Sequence, residues 1–381
     1  MEISKTKFQK IAYMITLPDL GGAQSHVYEV ISNIRNYGYE PILITGKEGW
    51  LTEQAKEKGI TCHIVPDLIR PIAPLHDFKA IRAIKGILHQ EKPVLVHCHS
   101  SKAGIIGRIA AYRCNIPAIF TAHGWAFTDG VNPIKRRIYA FIENLVGYCT
   151  DKIICVSEYD RKLGERYLSA HKEKMVTIHN CIPDMPDYVR DWDNHPLGDV
   201  VNIMVVARFS PPKRNLQILH CLRKILDRGM KVTVTFVGDG PQLEEAKAKA
   251  MDLRLEKEAI FLGARTDVAR LLPKYDMFLL LSNWEGFPIS ILEAMRSGIP
   301  VFASNVGGVK EAVRHHETGF LLENDSDVEK YLQQCFGHDS VIKEMGKNGR
   351  VIFVQEFKVE NMMSQLVICY RRGEYNRCCH T

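Results

Sequence analysis

Short apolar runs alternate along the chain with stretches whose apolar positions recur every three or four residues. The runs at 10–15, 41–45, 61–65, 94–98, 118–121, 152–156 and 176–179 are mostly apolar, as strands covered on both faces are. Between them lie amphipathic stretches such as 23–34 and 78–89. This alternation predicts βαβ units and a parallel sheet. Residues 181–199, CIPDMPDYVRDWDNHPLGD, hold three prolines and five acids without periodicity and read as a linker. Beyond it the alternation resumes, with strands expected at 202–207, 231–237, 259–262, 276–281 and 300–303.

The expected fold class is therefore α/β, two doubly wound Rossmann-like domains in series. Such sheets bind ligands beyond the carboxyl ends of their strands, so two of them predict a central cleft. The expected division is 1–183 for an N-terminal domain, 184–199 for the linker and 200–356 for a second domain. Residues 357–381 are expected to form a C-terminal helix packing back on the first domain; its helical pattern runs over 359–372.

At 381 residues the chain is long enough for two cores. A 46% hydrophobic and 25% charged composition is that of an ordinary globular protein. No run reaches the ~20 apolar residues that a bilayer span needs, and the start, Met1-Glu2-Ile3-Ser4-Lys5, has no secretory pattern. A cytoplasmic protein is expected, peripheral on the inner membrane face if it meets lipid at all. The formal charge of +6, with its basic residues dispersed, suits anionic substrates and argues against nucleic acid. One basic cluster, Ile134-Lys135-Arg136-Arg137, opens a helix continuing through Tyr139, Phe141 and Leu145 that could touch lipid headgroups. The eleven cysteines lack metal spacing and read as reduced thiols, Cys378-Cys379 as incidental. In His97-Cys98-His99 a strand would turn only two imidazoles to one face, so no metal site is expected.

The chemistry is expected in the loops that leave the strands. LPDLGGAQ (17–24) sets Gly21-Gly22 before a helix, where backbone N–H groups can approach an anion; the lack of GxGxxG disfavours a dinucleotide site. TAHGWAF (121–127) offers His123 to a polar ligand and an aromatic residue to stack on a ring. ARFSPPKRN (207–215) brackets two prolines with Arg208 and Lys213, a stiff loop whose cations suit a diphosphate. VGDGP (237–241) adds Gly238. In NWEGFPISILEAM (283–295), Pro288 is expected as the first helical residue, with N–H groups of that turn available to phosphate or sugar oxygens. Glu285 and Glu293 stand about two helical turns apart, a spacing for two different groups of one elongated ligand.

Glu285 and Glu293 with Gly286-Phe287-Pro288 between them, Arg208 and Lys213 resemble the family 4 retaining glycosyltransferases of GT-B fold. The resemblance extends through GGAQ, TAHGWAF, CVSEYD (155–160), IHNCIP (178–183), VGDGP and ASNVGGVKEAV (303–313). HCHSSKAGIIGRIAA (97–111) is most similar to bacterial members that build capsule, O-antigen or exopolysaccharide. The resemblance implies a nucleotide-diphosphate sugar donor, UDP favoured, with Arg208 and Lys213 neutralising the diphosphate and Gly22 meeting it from the first domain. It implies that Glu285 and the Gly286 and Phe287 N–H groups hold the sugar, that Glu293 holds the ribose and that His123 lies near the reacting carbon. Gly21, Gly238, Pro288 and Ile289 complete the implied binding set. It implies no metal, no cofactor and a retaining, front-face transfer of a hexose or N-acetylhexosamine. The implied acceptor is a lipid-diphosphate-linked saccharide. Two positions depart from the family pattern: Asn180-Cys181 replaces the usual Asn-Gly, and Arg214-Asn215 stands where a glycine is commoner. Two alternatives share the architecture: a nucleotide-sugar 2-epimerase, which would need several acids and histidines around the sugar, and a non-catalytic nucleotide-sugar binder.

Overall fold

The computed structural model describes residues 8–335 and 338–378, with side chains through Arg371. It divides into two compact units, residues 1–181 with 359–381 and residues 182–358.

The first unit alternates strand and helix: β1 Gln9–Ile15, α1 Gly22–Asn33, β2 Tyr39–Thr45, α2 Trp50–Glu57, β3 Thr61–Ile64, α3 Pro74–Glu91 and β4 Leu95–His99. It continues with α4 Ser101–Tyr112, β5 Ala118–Ala122, α5 Pro133–Gly147, β6 Lys152–Cys155, α6 Glu158–Tyr167 and β7 Met175–Thr177. The strands pair in parallel in the order β3-β2-β1-β4-β5-β6-β7. Strand β1 is central because its residues are apolar on both faces: Ala12 and Met14 enter one core with Val96, Ala110 and Phe120, while Ile11, Tyr13 and Ile15 enter the other with Val27, Leu43 and Leu95. Caps fix the helices locally. The Asn132 side chain accepts from Ile134 N–H at 3.0 Å to start α5, and Ser157 Oγ accepts from Asp160 N–H at 3.0 Å to start α6.

The second unit contains β8 Val201–Val206, α7 Asn215–Asp227, β9 Val232–Val237, α8 Leu243–Asp252, β10 Ala259–Phe261, α9 Val268–Leu271 and β11 Met277–Leu280. It ends with α10 Ile289–Arg296, β12 Val301–Ser304, α11 Val309–Ala312, β13 Gly319–Leu322, α12 Ser326–Cys335 and α13 Asp339–Glu356. The sheet order is β10-β9-β8-β11-β12-β13, again parallel. Both orders reverse direction at the first strand of the unit, the arrangement that opens a ligand site beyond the strand ends.

Strand β13 was not anticipated. It is four residues long and opens with Gly319, whose missing side chain lets it lie against β12: a Cβ there would come within 1.9 Å of the Val301 carbonyl oxygen. The proline-rich stretch after Cys181 forms one regular turn, Pro186–Tyr188, yet it is anchored to its unit. Trp192 Nε1 donates to the Gly298 carbonyl at 2.9 Å, and the buried Arg190 guanidinium pairs with Asp276 at 2.6 Å.

The final helix, α14 Val359–Cys378, is longer than its expected end at residue 372. It supplies Met362, Met363, Leu366 and Tyr370 to the core of the first unit. The sequence expectations for Met1–Lys5 and Cys379 lie outside the described residues, as does the Cys378 side chain. Nine described cysteines are free thiols.

Candidate active site

In the second unit the loop after β8 is stitched to its neighbours by backbone bonds. Phe209 N–H donates to the Asp239 carbonyl at 3.0 Å, Arg214 N–H to the Leu281 carbonyl at 2.9 Å, and Asn283 N–H to the Pro212 carbonyl at 3.0 Å. Asn215 closes the loop from inside, its amide donating to the Arg208 carbonyl at 3.0 Å. The Pro211–Pro212 peptide is cis. Gly238 stands beside this loop at φ +147, and a Cβ on it would meet the Ala207 carbonyl oxygen at 2.0 Å. Its role in the fold is thus close approach of two strand ends.

This stitching brings Lys213 to Glu285. The Lys213 ammonium and the Ser282 hydroxyl both donate to Glu285 Oε1. Glu285 is held from its backbone side as well. Gly308 N–H donates to the Gly286 carbonyl at 3.1 Å, and a Cβ on Gly307, at φ +56, would come within 1.7 Å of the Glu285 carbonyl oxygen. Expected as a cation for a diphosphate, Lys213 here orients the acid that faces it. Arg208 is exposed and, among the described residues, makes no ion pair.

Pro288 corrects its expected place. It lies before α10 with φ −73 and ψ 122, an extended conformation, and the helix begins at Ile289. Pro288 therefore caps the helix instead of entering it. The Phe287 side chain is buried against Phe357, with ring centroids 5.6 Å apart, so this residue anchors the turn while its N–H lies at the mouth of α10. Glu293 lies within α10; burial raises its carboxyl above the ordinary range, and Arg296 pulls it the other way.

In the first unit, α1 begins at Gly22 with Gly21 as its cap. A Cβ on Gly22 would meet nothing within 4 Å, so the fold itself does not demand glycine there. His123 follows β5, as expected. The aromatic residues after it do not offer themselves to a ligand: Trp125 and Phe127 are buried, stacked at 4.8 Å, and Trp125 Nε1 donates to the Asp160 carbonyl at 2.7 Å. They are core residues because the loop after β5 packs against α6, where Phe127 also meets Tyr167 with ring centroids 5.3 Å apart.

Sequence reasoning missed the surroundings of His123. His99 Nδ1 lies 3.0 Å from His123 Nε2, and His26 from α1 stands edge-on to the His123 ring at 4.8 Å. His26 Nδ1 reaches Asn180 Oδ1 at 2.9 Å. His97 stands 4.2 Å from His99, ring to ring, but its nitrogens are occupied by the Tyr370 hydroxyl at 2.8 Å and the Thr121 hydroxyl at 2.7 Å. Burial pushes His26 down to about 4 and His97, His99 and His123 well below the usual imidazole range, so all four are neutral at pH 7. The histidines of α1 and β4 are far from His123 in sequence, and only the His97/His99 alternation signalled any of them. At the two departures from the family pattern, neither Asn180 nor Cys181 adopts a positive φ, and Arg214 pairs with Asp325 at 2.6 Å.

Two parallel doubly wound sheets, each with its chemistry-bearing loops beyond its own strand ends, make up the architecture of the GT-B glycosyltransferases. Solved structures agree on the fold. HepE of Anabaena, in complex with UDP and glucose, matches with a TM-score of 0.79 at 19% identity, covering 95% of this chain and 99% of that one. Sucrose-phosphate synthase from Thermosynechococcus elongatus matches with a TM-score of 0.80 at 18% identity, covering 96% and 98%. Residues 20–184 match Glycosyltransferase Family 4, and residues 192–351 match Glycosyl transferases group 1. The chain is 30% identical over 375 residues to the UDP-Gal:alpha-D-GlcNAc-diphosphoundecaprenol alpha-1,3-galactosyltransferase of Escherichia coli, covering 95% of this chain and 96% of that protein. It is 28% identical over 319 residues to the O-antigen biosynthesis glycosyltransferase WbnH of Escherichia coli, covering 84% and 87%. The chain belongs to this glycosyltransferase family. Among the described residues, no helix is long and apolar enough to cross a membrane.

Proposed function

We propose that the protein transfers a hexose or N-acetylhexosamine from a UDP-sugar to a lipid-diphosphate-linked saccharide during assembly of a surface polysaccharide, with retention at the anomeric carbon. The observation that carries this reading is the Glu285 carboxylate, fixed by Lys213 and Ser282 beside the first turn of α10. A carboxylate locked in place accepts sugar hydroxyls without reorganisation, and the Gly286, Phe287 and Ile289 N–H groups give oxygen atoms their complement. The kinship with a UDP-galactose-dependent enzyme acting on a diphosphoundecaprenol-linked sugar supports the substrate class.

Arg208, exposed and unpaired among the described residues, takes the diphosphate, and Lys213 adds its charge while holding Glu285. Glu293 accepts the ribose diol. Gly21 and Gly22, at the start of α1, offer N–H groups to the phosphates, and His123 hydrogen-bonds the donor sugar. In the front-face step the bond from C1 to the β-phosphate oxygen breaks, and the acceptor oxygen bonds C1 on the same face. The acceptor proton passes to the departing phosphate oxygen. The transferase reading is favoured over the epimerase by the kinship with a galactosyltransferase that acts on a diphosphoundecaprenol-linked sugar.

Helix α5 supports peripheral contact with an anionic lipid surface. Ile134, Ile138, Phe141 and Leu145 form one exposed stripe, and Lys135 and Arg137 are exposed beside it. Tyr139, expected on that face, instead packs against the core.

The test is incubation of the purified protein with a panel of radiolabelled UDP-sugars, UDP-galactose first, and N-acetylglucosamine-diphosphoundecaprenol, with the product anomer assigned by NMR. Label appearing on the lipid with the donor's anomeric configuration is the expected result. Inversion, or no transfer from any donor while UDP binds, would overturn the reading.

A further inference from the structure

We propose that His99 positions His123 for the donor sugar, a role that rests on the donor contact assigned to His123 above. It sets which His123 nitrogen carries the proton, so that Nδ1–H is the group presented to a sugar hydroxyl. His99 Nδ1 lies 3.0 Å from His123 Nε2, and the His99 side chain makes no other hydrogen bond among the described residues. His99 Nε2 is buried and has no partner there.

The sheet builds this pair. Strands β4 and β5 run in parallel register with His99 opposite Thr121. His97 and His99 are two residues apart and share one face of β4. His97 Nε2 meets the Thr121 hydroxyl at 2.7 Å, and two residues further along each segment His99 meets His123. The Tyr370 hydroxyl holds His97 Nδ1 at 2.8 Å, and the His97 ring lies 4.2 Å from that of His99. His97 cannot turn without breaking two hydrogen bonds, so it backs the His99 ring as a fixed wall.

A wholly buried imidazole with one bare nitrogen is a less stable choice on a sheet face than leucine or valine. What the imidazole adds is the bond to His123. Both rings are neutral, because burial holds them well below the usual imidazole range. One of the two facing nitrogens therefore donates and the other accepts. If His123 donated, His99 Nε2 would hold an N–H in the core without an acceptor, the rarer defect in folded proteins. His99 Nδ1–H donates instead, His123 Nε2 accepts, and the His123 proton stays on Nδ1. That nitrogen has no hydrogen bond among the described residues, and His123 is only partly buried. A sugar hydroxyl that accepts from Nδ1–H keeps its own proton for another partner.

The test compares His99→Asn with His99→Leu in the full chain. Asparagine sets an amide N–H where Nδ1–H stood, whereas leucine fills the space without one. With saturating donor, kcat should stay within about 3-fold in His99→Asn and fall about 10-fold in His99→Leu, the worth of one hydrogen bond. UDP affinity, measured by calorimetry, should be unchanged in both and shows that each variant is folded. A residue that only packs would give the opposite order. Nitrogen-15 NMR of histidine-labelled protein locates the protons, the His123 signals being identified by their loss in His123→Gln. The proton should sit on His123 Nδ1 in the unaltered chain and in His99→Asn, and move to Nε2 or be shared in His99→Leu. A proton on Nε2 in the unaltered chain, or leucine serving as well as asparagine, would overturn the proposal. The spectrum is recorded without substrate, so absence of transfer from every donor would fault the transferase reading alone.

Discussion

Glu285 and Lys213, 72 residues apart in the chain, meet as an ion pair because the loops after β8 and β11 are hydrogen-bonded to each other. Replacing Glu285 by Gln keeps the shape and removes the charge. Turnover should fall at least ~100-fold, the scale seen when a transition-state contact is lost. Steady-state kinetics with saturating donor checks this, and near-native turnover would refute the role assigned to Glu285.

Arg208→Ala separates donor binding from stability. The side chain is exposed and carries no ion pair among the described residues, so the melting temperature should barely move. UDP affinity should drop about 10- to 100-fold, the worth of a charge-assisted hydrogen bond. Calorimetry with UDP decides, and an unchanged affinity removes the diphosphate assignment.

Gly307→Ala tests the support beneath Glu285. The added carbon would lie 1.7 Å from the Glu285 carbonyl oxygen and would also sit at φ +56, so the loop must move. The expected outcome is a loss of turnover larger than that caused by Gly298→Ala. That glycine also has positive φ, at +71, but its nearest neighbour is a Val189 side-chain atom at 3.3 Å.

These relationships show what the sequence could and could not convey. Every strand longer than four residues was legible, because a run apolar on both faces has few other readings. Strand β13 was not, since its four residues open on Gly319, which in sequence reads as a turn. The Glu285 motif was legible as a loop with an acid. Its partner was not, because a lysine reads the same whether it meets solvent, phosphate or carboxylate. The aromatic residues of 121–127 misled for a related reason: adjacency to His123 suggested a ligand, whereas α6 supplies Trp125 with a carbonyl and a core.

Acid should destabilise the protein at a pH where carboxylates are still ionised. His26 is lowered from 6.5 to about 4 by burial, so the unfolded chain binds the proton more readily. Its contribution is fully present above pH 6.5 and is lost as pH falls toward 4, about 3 kcal/mol in all. His97, His99 and His123 shift in the same direction and act in the same sense. Urea unfolding at pH 7.5 and 5.0 should show the loss, and His26→Gln should flatten it.

Phe141→Glu and Ile138→Glu on α5 should weaken sedimentation with vesicles containing phosphatidylglycerol, while UDP binding stays unchanged. Both side chains are exposed, at 62% and 50%, so no core is disturbed. Undiminished vesicle binding would exclude this helix as the lipid contact.

Helix α14 is a late arrival in the chain that completes an early structure. Leu366 and Tyr370 are wholly buried with Ile11 and Leu95, and the Tyr370 hydroxyl bonds His97. A ribosome that has finished the first 181 residues has therefore made a sheet with one side still bare, and it must release the last codons before that side can be roofed. A nonsense mutation at residue 359 would shorten the protein by only 23 residues, yet it would leave the opening half sticky and unfinished.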